Sequence, residues 1–480
     1  MKEIRNLTML SDFYEFTMAN GYYENGMKDT VAVFDAFYRK NPDGGGYAIF
    51  AGLNDIISYI KNLHFTDEDI EYFKAQGGFS EGFLEYLRNF KFTGDVYAFP
   101  EGSVMFPGEP IITVKAPIIE CSIIETYLLL SMNFNSLIAT KTNRIVNSAG
   151  DRLVMEFGAR RAQGADASIT GARAAYIAGA PITSNTYSAK KYGFKASGTM
   201  AHSWIQAFDT EYEAFKTYAK MYPENCILLI DTYDTLESGL VNAMKVFKEE
   251  LVPKGLTGGV RIDSGDLAYL SKEVRKRLDE NGFEDFKIVA SNSLDEFKIE
   301  SLLAQGAKID SFGIGERLIT AKSDPVFGGV YKLVAIEKDG DLEAKIKVSE
   351  NVEKITTPGF KKVYRLYDAE TGKAEADYIA LRDEEVDDSE PLVIFDPLFT
   401  WKMKKMKNYK AREMQVKIFE KGKLVYEEPS LEKIAAYRKE EVASLWDEVK
   451  RYDAPHNYYV DLSQKLWNLK QKLILEAKSK

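Results

Sequence analysis

The spacing of apolar and polar positions changes rhythm along the chain, and each rhythm predicts different elements. Residues 1–150 open on a helical alternation, pass through the strand-like VAVFDAFYRK and a Gly-rich turn at residues 44–46, and return to a helix through Ile60. VYAFPEGSVMFPGEPIITVKAP then mixes β-branched and aromatic residues with Pro-Gly and Gly-Glu-Pro turns, a pattern of short antiparallel strands. From residue 151 short apolar runs alternate with helical stretches: LVMEF, APITS, ASGTM, CILLIDT, GVRIDS, KIVAS and DSFGIG. After GVRIDS, Leu267, Leu270, Val274 and Leu278 recur at helical spacing, with Ser264 or Asp266 placed to cap the start and Gly282 to end it. Before it, Leu236, Leu240, Met244 and Phe247 form one apolar stripe. Beyond about residue 330 strand-like runs return, among them VYKLVAIE, KVYRLYD and ADYIAL, and amphipathic Lys/Glu-rich helices follow from Leu431.

Repeated βα units favour a parallel sheet with helices outside, doubly wound or closed, and seven candidate strands favour the barrel. The expected fold is therefore α/β: an N-terminal α+β domain (1–150), an α/β barrel carrying the active site (151–330), and a smaller β-rich region ending in helices (331–480).

Composition narrows the function. The chain has 480 residues, 45% hydrophobic and 28% charged, as ordinary globular proteins do. A formal net charge of -10 argues against a general nucleic-acid or anionic-membrane surface. Two cysteines, Cys121 and Cys226, are too few for a disulfide framework or a Cys-rich zinc site. Glu3, Asp12 and Glu15 interrupt the N-terminus where a signal peptide needs an apolar run, and Glu120 and Glu125 interrupt the most apolar stretch, from Ile118. That stretch is expected to be a buried helix, and the protein to be cytoplasmic. Three histidines, His64, His202 and His456, limit any imidazole chemistry.

In parallel βα folds, ligands bind at the carboxyl ends of the strands. The residues expected there are Gly158 with Arg160 and Arg161, Ser184 with Asn185, His202 with Ser203, and Asp231 with Asp234. Asp263 with Ser264, Ser291 with Asn292, and Gly313 with Gly315 complete the ring. Guanidinium groups, an imidazole, carboxylates and Gly-rich turns suit a polyphosphate sugar with a divalent cation. Each has a plainer reading as well. Asp231 and Asp263 suit helix capping, Arg160 and Arg161 a solvated pair, and Gly313 to Gly315 a tight turn. Two acids converging on one mouth, however, repel unless a cation or a hydroxyl-rich ligand separates them. A lone histidine is more often structural, but His202 stands immediately beyond a candidate strand. No G-x-x-x-x-G-K-[ST], H-E-x-x-H or G-x-S-x-G occurs. ILLIDTYDTLESG lacks the adjacent acids and Thr-Gly of a type I phosphoribosyltransferase loop.

In order along the chain, LSDFYEFTMANGYY, PEGSVMFPGEP, EFGARRAQG, SGTMAHSW, IDTYDT, GVRIDSGDL, SNSLDE, FGIGERL and GGVYKLV resemble the nicotinate phosphoribosyltransferases, type II phosphoribosyltransferases of NAD salvage. The resemblance implies a distorted α/β barrel and a reaction of nicotinate with phosphoribosyl pyrophosphate (PRPP). The products would be nicotinate mononucleotide and pyrophosphate, with Mg²⁺ and with ATP as a co-substrate. It implies a homodimer with shared active sites, without nucleic-acid or membrane partners. By the same resemblance, Tyr14 would reach a neighbouring subunit's site and stack on the pyridine ring opposite Phe157. Arg261 and Thr199 would line the nicotinate pocket, and Arg160 would hold pyrophosphate. Asp263 would hold the ribose or metal-linked region, Gly313 and Gly315 the 5′-phosphate, and His202 would be phosphorylated by ATP. Which of Asp231, Asp234 and Asp263 touches metal stays open. Glu316 departs from the Thr of animal members, so no phosphate contact is carried over to it. The alternatives are a nicotinamide-specific relative, disfavoured because Ser184 stands where that enzyme uses an Asp, and a catalytically silent protein of the same fold. A quinolinate-using relative would need more basic groups.

Overall fold

A computed structural model describes residues 5–479 as two compact units, 5–137 with 326–479, and 138–325. The first unit is built on a seven-stranded antiparallel sheet ordered Asp341–Ala344, Gly329–Lys338, Val31–Tyr38, Ile112–Pro117, Asp95–Ala98, Val416–Glu420, Lys423–Leu424. Three strands from the first 120 residues lie between two pairs from beyond residue 328, so the segments read from sequence as 1–150 and 331–480 share one sheet. A four-stranded sheet, Tyr409–Glu413, Lys361–Asp368, Ala374–Leu381, Tyr459–Leu462, adds the expected β-rich region, and helices Leu431–Ser444 and Gln464–Lys478 end it. Arg365, fully buried, pairs with Asp377 at 2.6 Å and Glu441 at 2.7 Å and donates to Val104 O. The apolar stretch from Ile118 forms two helices, Ile118–Ile123 and Glu125–Ala149, separated at Ile124. Among the described residues no helix is long and apolar enough to cross a membrane.

The second unit holds β1 (Leu153–Glu156), β2 (Ile182–Thr183), β3 (Lys195–Ala196), β4 (Ile227–Leu229), β5 (Gly259–Ile262), β6 (Lys287–Ser291) and β7 (Ser311–Ile314). They pair in the order β3-β2-β1-β7-β6-β5-β4, parallel throughout. This is the cyclic order of a barrel opened between β3 and β4, a half-barrel where seven strands had suggested closure. All seven candidate runs contain a strand, although ASGTM contributes only Ala196. The helix after β5 spans Leu267–Glu280, capped by Asp266, whose carboxylate accepts from Ala268 N and Tyr269 N; Gly282 follows it at φ 79°. The preceding helix departs from the expected stripe. Leu240–Val246 is α-helical, but Thr235–Gly239 and Phe247–Leu251 are π-helical, and the buried positions become Leu240, Ala243, Val246, Phe247 and Leu251.

Candidate active site

The strand ends of the second unit converge as parallel pairing demands, because every strand delivers its last residue to the same edge. Phe157 and Arg160 follow β1, Ser184 follows β2, Thr199 and His202 follow β3, and Arg261 and Asp263 come from the end of β5. Together these residues line one cavity of about 340 Å³. Asp231, Gly313 and Gly315 are not part of its lining but touch residues that are, Asp231 through Asp263 and the two glycines through Phe157.

The turn after β1 is fixed from beneath. Phe157 N donates to Ile314 O at 2.7 Å and Ser184 N to Glu156 O at 2.8 Å. The buried Glu156 carboxylate accepts from Thr183 Oγ1 at 2.5 Å and from Gly158 N, and burial raises its pKa. Gly313 makes room for the Phe157 ring: a Cβ there would lie 2.6 Å from Cδ2 and Cε2. At Gly315 a Cβ would stand 3.0 Å from Phe157 O. Both glycines thus serve the seating of Phe157. Glu316, expected to need an explanation beside a phosphate, pairs with Lys322 at 2.6 Å, which lowers its pKa.

Arg261 is the hub of the cavity. Its Nε donates to Ser291 Oγ at 2.9 Å, Nη1 to Thr199 Oγ1 at 3.2 Å, and Nη2 to Asp263 Oδ1 at 3.0 Å. Ser291 also donates to Asp263, so the acid is held by two neighbours. Such a planar fork with each nitrogen engaged holds its orientation before any ligand arrives. Arg160, exposed on the short turn Ala159–Arg161, makes no ion pair among the described residues and leaves a guanidinium for an anion.

The capping alternative belongs to other acids. Asp234 accepts from Leu236 N and Glu237 N, and Asp266 caps the later helix. Asp231 instead accepts from Asp263 N at 3.1 Å and Ser264 Oγ at 2.5 Å, while its buried Oδ1 has no hydrogen-bond partner. His202 starts the helix His202–Gln206, and its Nδ1 lies 3.0 Å from Thr232 Oγ1. Ser291 stands where the strand-end ring places it, whereas Thr232 and Glu156 are not among the site residues expected from sequence. Thr232 has a legible signal in standing just beyond a parallel strand, and Glu156 in being an acid inside an apolar run. Tyr14 lies in the other unit, on helix Phe13–Glu24, with 49% of its surface exposed.

Family models cover nearly the whole chain. The nicotinate phosphoribosyltransferase N-terminal domain matches residues 9–133, the nicotinate phosphoribosyltransferase family 153–356, and the nicotinate phosphoribosyltransferase C-terminal domain 360–470. The chain is 47% identical to the nicotinate phosphoribosyltransferase of Bacillus subtilis (strain 168) over 99% of its own length and 96% of that relative. To the Homo sapiens nicotinate phosphoribosyltransferase it is 30% identical over 95% of each. The crystal structure of human nicotinic acid phosphoribosyltransferase superposes with a TM-score of 0.83 at 28% identity, covering 97% of this chain and 100% of that one.

Proposed function

The chain belongs to the nicotinate phosphoribosyltransferase family and is a phosphoribosyltransferase enzyme, and from that premise we propose that it joins nicotinate to the C1 carbon of PRPP, releasing pyrophosphate, with ATP hydrolysis coupled to turnover. The observation that carries this reading is the convergence of Phe157, Arg160, Thr199, His202, Arg261 and Asp263 on one cavity. As pyrophosphate leaves, C1 becomes cationic and the ring nitrogen attacks it; positioning and charge stabilisation dominate such a step. Phe157 offers an aromatic face to the pyridine ring, and Arg261 with Thr199 offers donors to the nicotinate carboxylate. Arg160 takes the leaving pyrophosphate, Asp263 faces the cationic ribose, and the turn through Gly313 and Gly315 takes the 5′-phosphate. Ser184 offers no carboxylate to repel the acid, which favours nicotinate over nicotinamide.

Among the described residues no cluster of three or more His, Cys, Asp or Glu could cage a metal. The donor set fits Mg²⁺ that arrives with the polyphosphate, for which Asp231 keeps one oxygen without a partner. When bound, the ion would offset phosphate charge. His202 is the proposed phosphoryl acceptor: in the tautomer whose Nδ1–H donates to Thr232 Oγ1, the Nε2 lone pair is left to attack the γ-phosphorus of ATP and expel ADP. The proposal extends to a cytoplasmic homodimer in which Tyr14 of each chain serves the other's site.

The test is an assay of purified protein with nicotinate, PRPP, Mg²⁺ and ATP. Nicotinate mononucleotide is expected, and product from nicotinamide but not nicotinate would overturn the substrate. His202→Ala should lose ATP stimulation and acid-labile phosphate; unchanged coupling would remove His202 from the mechanism.

A further inference from the structure

The first unit contains a second, larger cavity, of about 990 Å³, which shares no residue with the site above. That volume falls at the upper end of those that hold small organic molecules, and its walls have the matching chemistry: mainly apolar, with a few convergent polar groups. Ile379, Leu462, Trp467 and Ile474 contribute apolar wall, and Lys361 and Lys470 bring two amines to it.

The two amines differ in how they are satisfied. Lys361, fully buried, pairs with Asp35 at 2.7 Å and donates to the carbonyls of Thr357 and Gly359, each at 2.7 Å, so its three N–H donors are used. Asp35 is shared further, accepting from Thr113 Oγ1 at 2.7 Å. Lys470 donates only to Thr357 Oγ1, at 3.2 Å, and has no carboxylate partner among the described residues. Burial first, and the charge of Lys361 second, push its pKa down to about 8, so it remains mainly charged at neutral pH. Asp35 offsets Lys361, and Arg39 adds a third cation to the lining, so the Lys470 ammonium stands without a carboxylate in a largely apolar cavity, where an unpaired charge is costly. A single anionic group on a ligand would pair with Lys470, and the rest of the volume would take hydrocarbon.

We propose that this cavity is a ligand site for a monoanionic amphiphile, a carboxylate on an apolar body, with the carboxylate paired to Lys470 and the body against Trp467, Ile379 and Ile474. The inference goes beyond the phosphoribosyl transfer proposed above and does not depend on it, since it rests on residues of the other unit.

The probe is decanoate, titrated by calorimetry into the full-length protein, with decanamide as its uncharged counterpart. One saturable decanoate site per chain is expected, unaffected by saturating nicotinate and PRPP. Lys470→Met, which keeps the length and apolar stem, should weaken decanoate at least tenfold and leave decanamide unchanged. Ile474→Trp, which fills the cavity, should abolish both, and both variants should keep the wild-type rate of mononucleotide formation. Absence of saturable decanoate binding, displacement by nicotinate or PRPP, or equal decanoate affinity in Lys470→Met and wild type would each overturn the proposal. If Lys470→Met fails to fold, Ile474→Trp decides: undiminished binding there would place the ligand elsewhere.

Discussion

At the scale of single residues, the site depends on side chains that never reach its surface. Gly313 reads in sequence as half of a phosphate-binding Gly-x-Gly, yet its missing Cβ is the space into which the Phe157 ring fits. Gly313→Ala is accordingly expected to displace that ring, at a cost of about 1–3 kcal/mol in stability from overpacking, measured by urea unfolding. If Phe157 stacks on nicotinate, KM for nicotinate should rise about tenfold or more, with KM for PRPP moving less. A second buried group makes a pH prediction. Glu15 has both carboxylate oxygens buried without a hydrogen-bond partner of good geometry, and burial first, then the charge of Glu125, push its pKa up to about 7 from an ordinary 4.5. An acid raised in the folded state contributes stability that is present below its unfolded pKa and lost as pH rises through the folded one. Wild-type Tm should therefore fall from about pH 5 to about pH 8, and Glu15→Gln, which cannot ionise, should flatten that decline; an equal decline in the variant would assign it to other groups. Burial of this kind is illegible in sequence, where Glu15 is only a charge interrupting an apolar run.

At the scale of elements, hydrophobic periodicity locates helices better than it assigns their faces. The run Leu267, Leu270, Val274, Leu278 describes a helix of regular pitch, and the structure keeps it, Asp266 cap included. The run Leu236, Leu240, Met244, Phe247 assumes the same pitch where the chain has two π-helical turns. Each wider turn rotates the following residues around the axis, so Met244 is only half-buried while Ala243, Val246 and Leu251 are enclosed. One cause is visible at Gly239, where a Cβ would lie 1.9 Å from Ile230 O: the π-turn brings the backbone against the strand end that leads to Asp231. Leu251→Ala is expected to cost about 2–5 kcal/mol, as a fully buried leucine does, and Met244→Ala about 1 kcal/mol or less. Chemical denaturation of the two variants tests the assignment, and a larger loss at Met244 would restore the regular-helix face.

At the scale of the whole molecule, the decisive feature is that the chain leaves the first unit and returns to it. Gly329–Lys338 and Val416–Glu420 pair with strands from the first 120 residues, and Arg365 ties the four-stranded sheet to Val104. Arg365→Met leaves Asp377 a buried carboxylate without its cation, while Glu441 keeps its pair with Arg412, a loss of about 3–5 kcal/mol, measured by thermal or denaturant unfolding. Residues 331–480 expressed alone lack the strands that complete their pairing and should show no dispersed NMR spectrum; a folded fragment would count against interleaving as the source of stability. The sequence by itself determined the α/β class, the seven parallel strands, the strand-end inventory from Gly158 to Gly315, and a family resemblance that the full-length matches bear out, because these follow from local pattern and from which residue ends each strand. The tertiary structure alone decided that the barrel stays open between β3 and β4, that Asp231 accepts from the backbone N of Asp263 while the Asp263 carboxylate accepts from Ser291, and that the chain's two ends share a sheet. Those outcomes depend on pairings between residues tens to hundreds of positions apart, and such pairings leave no mark in any local window of the chain.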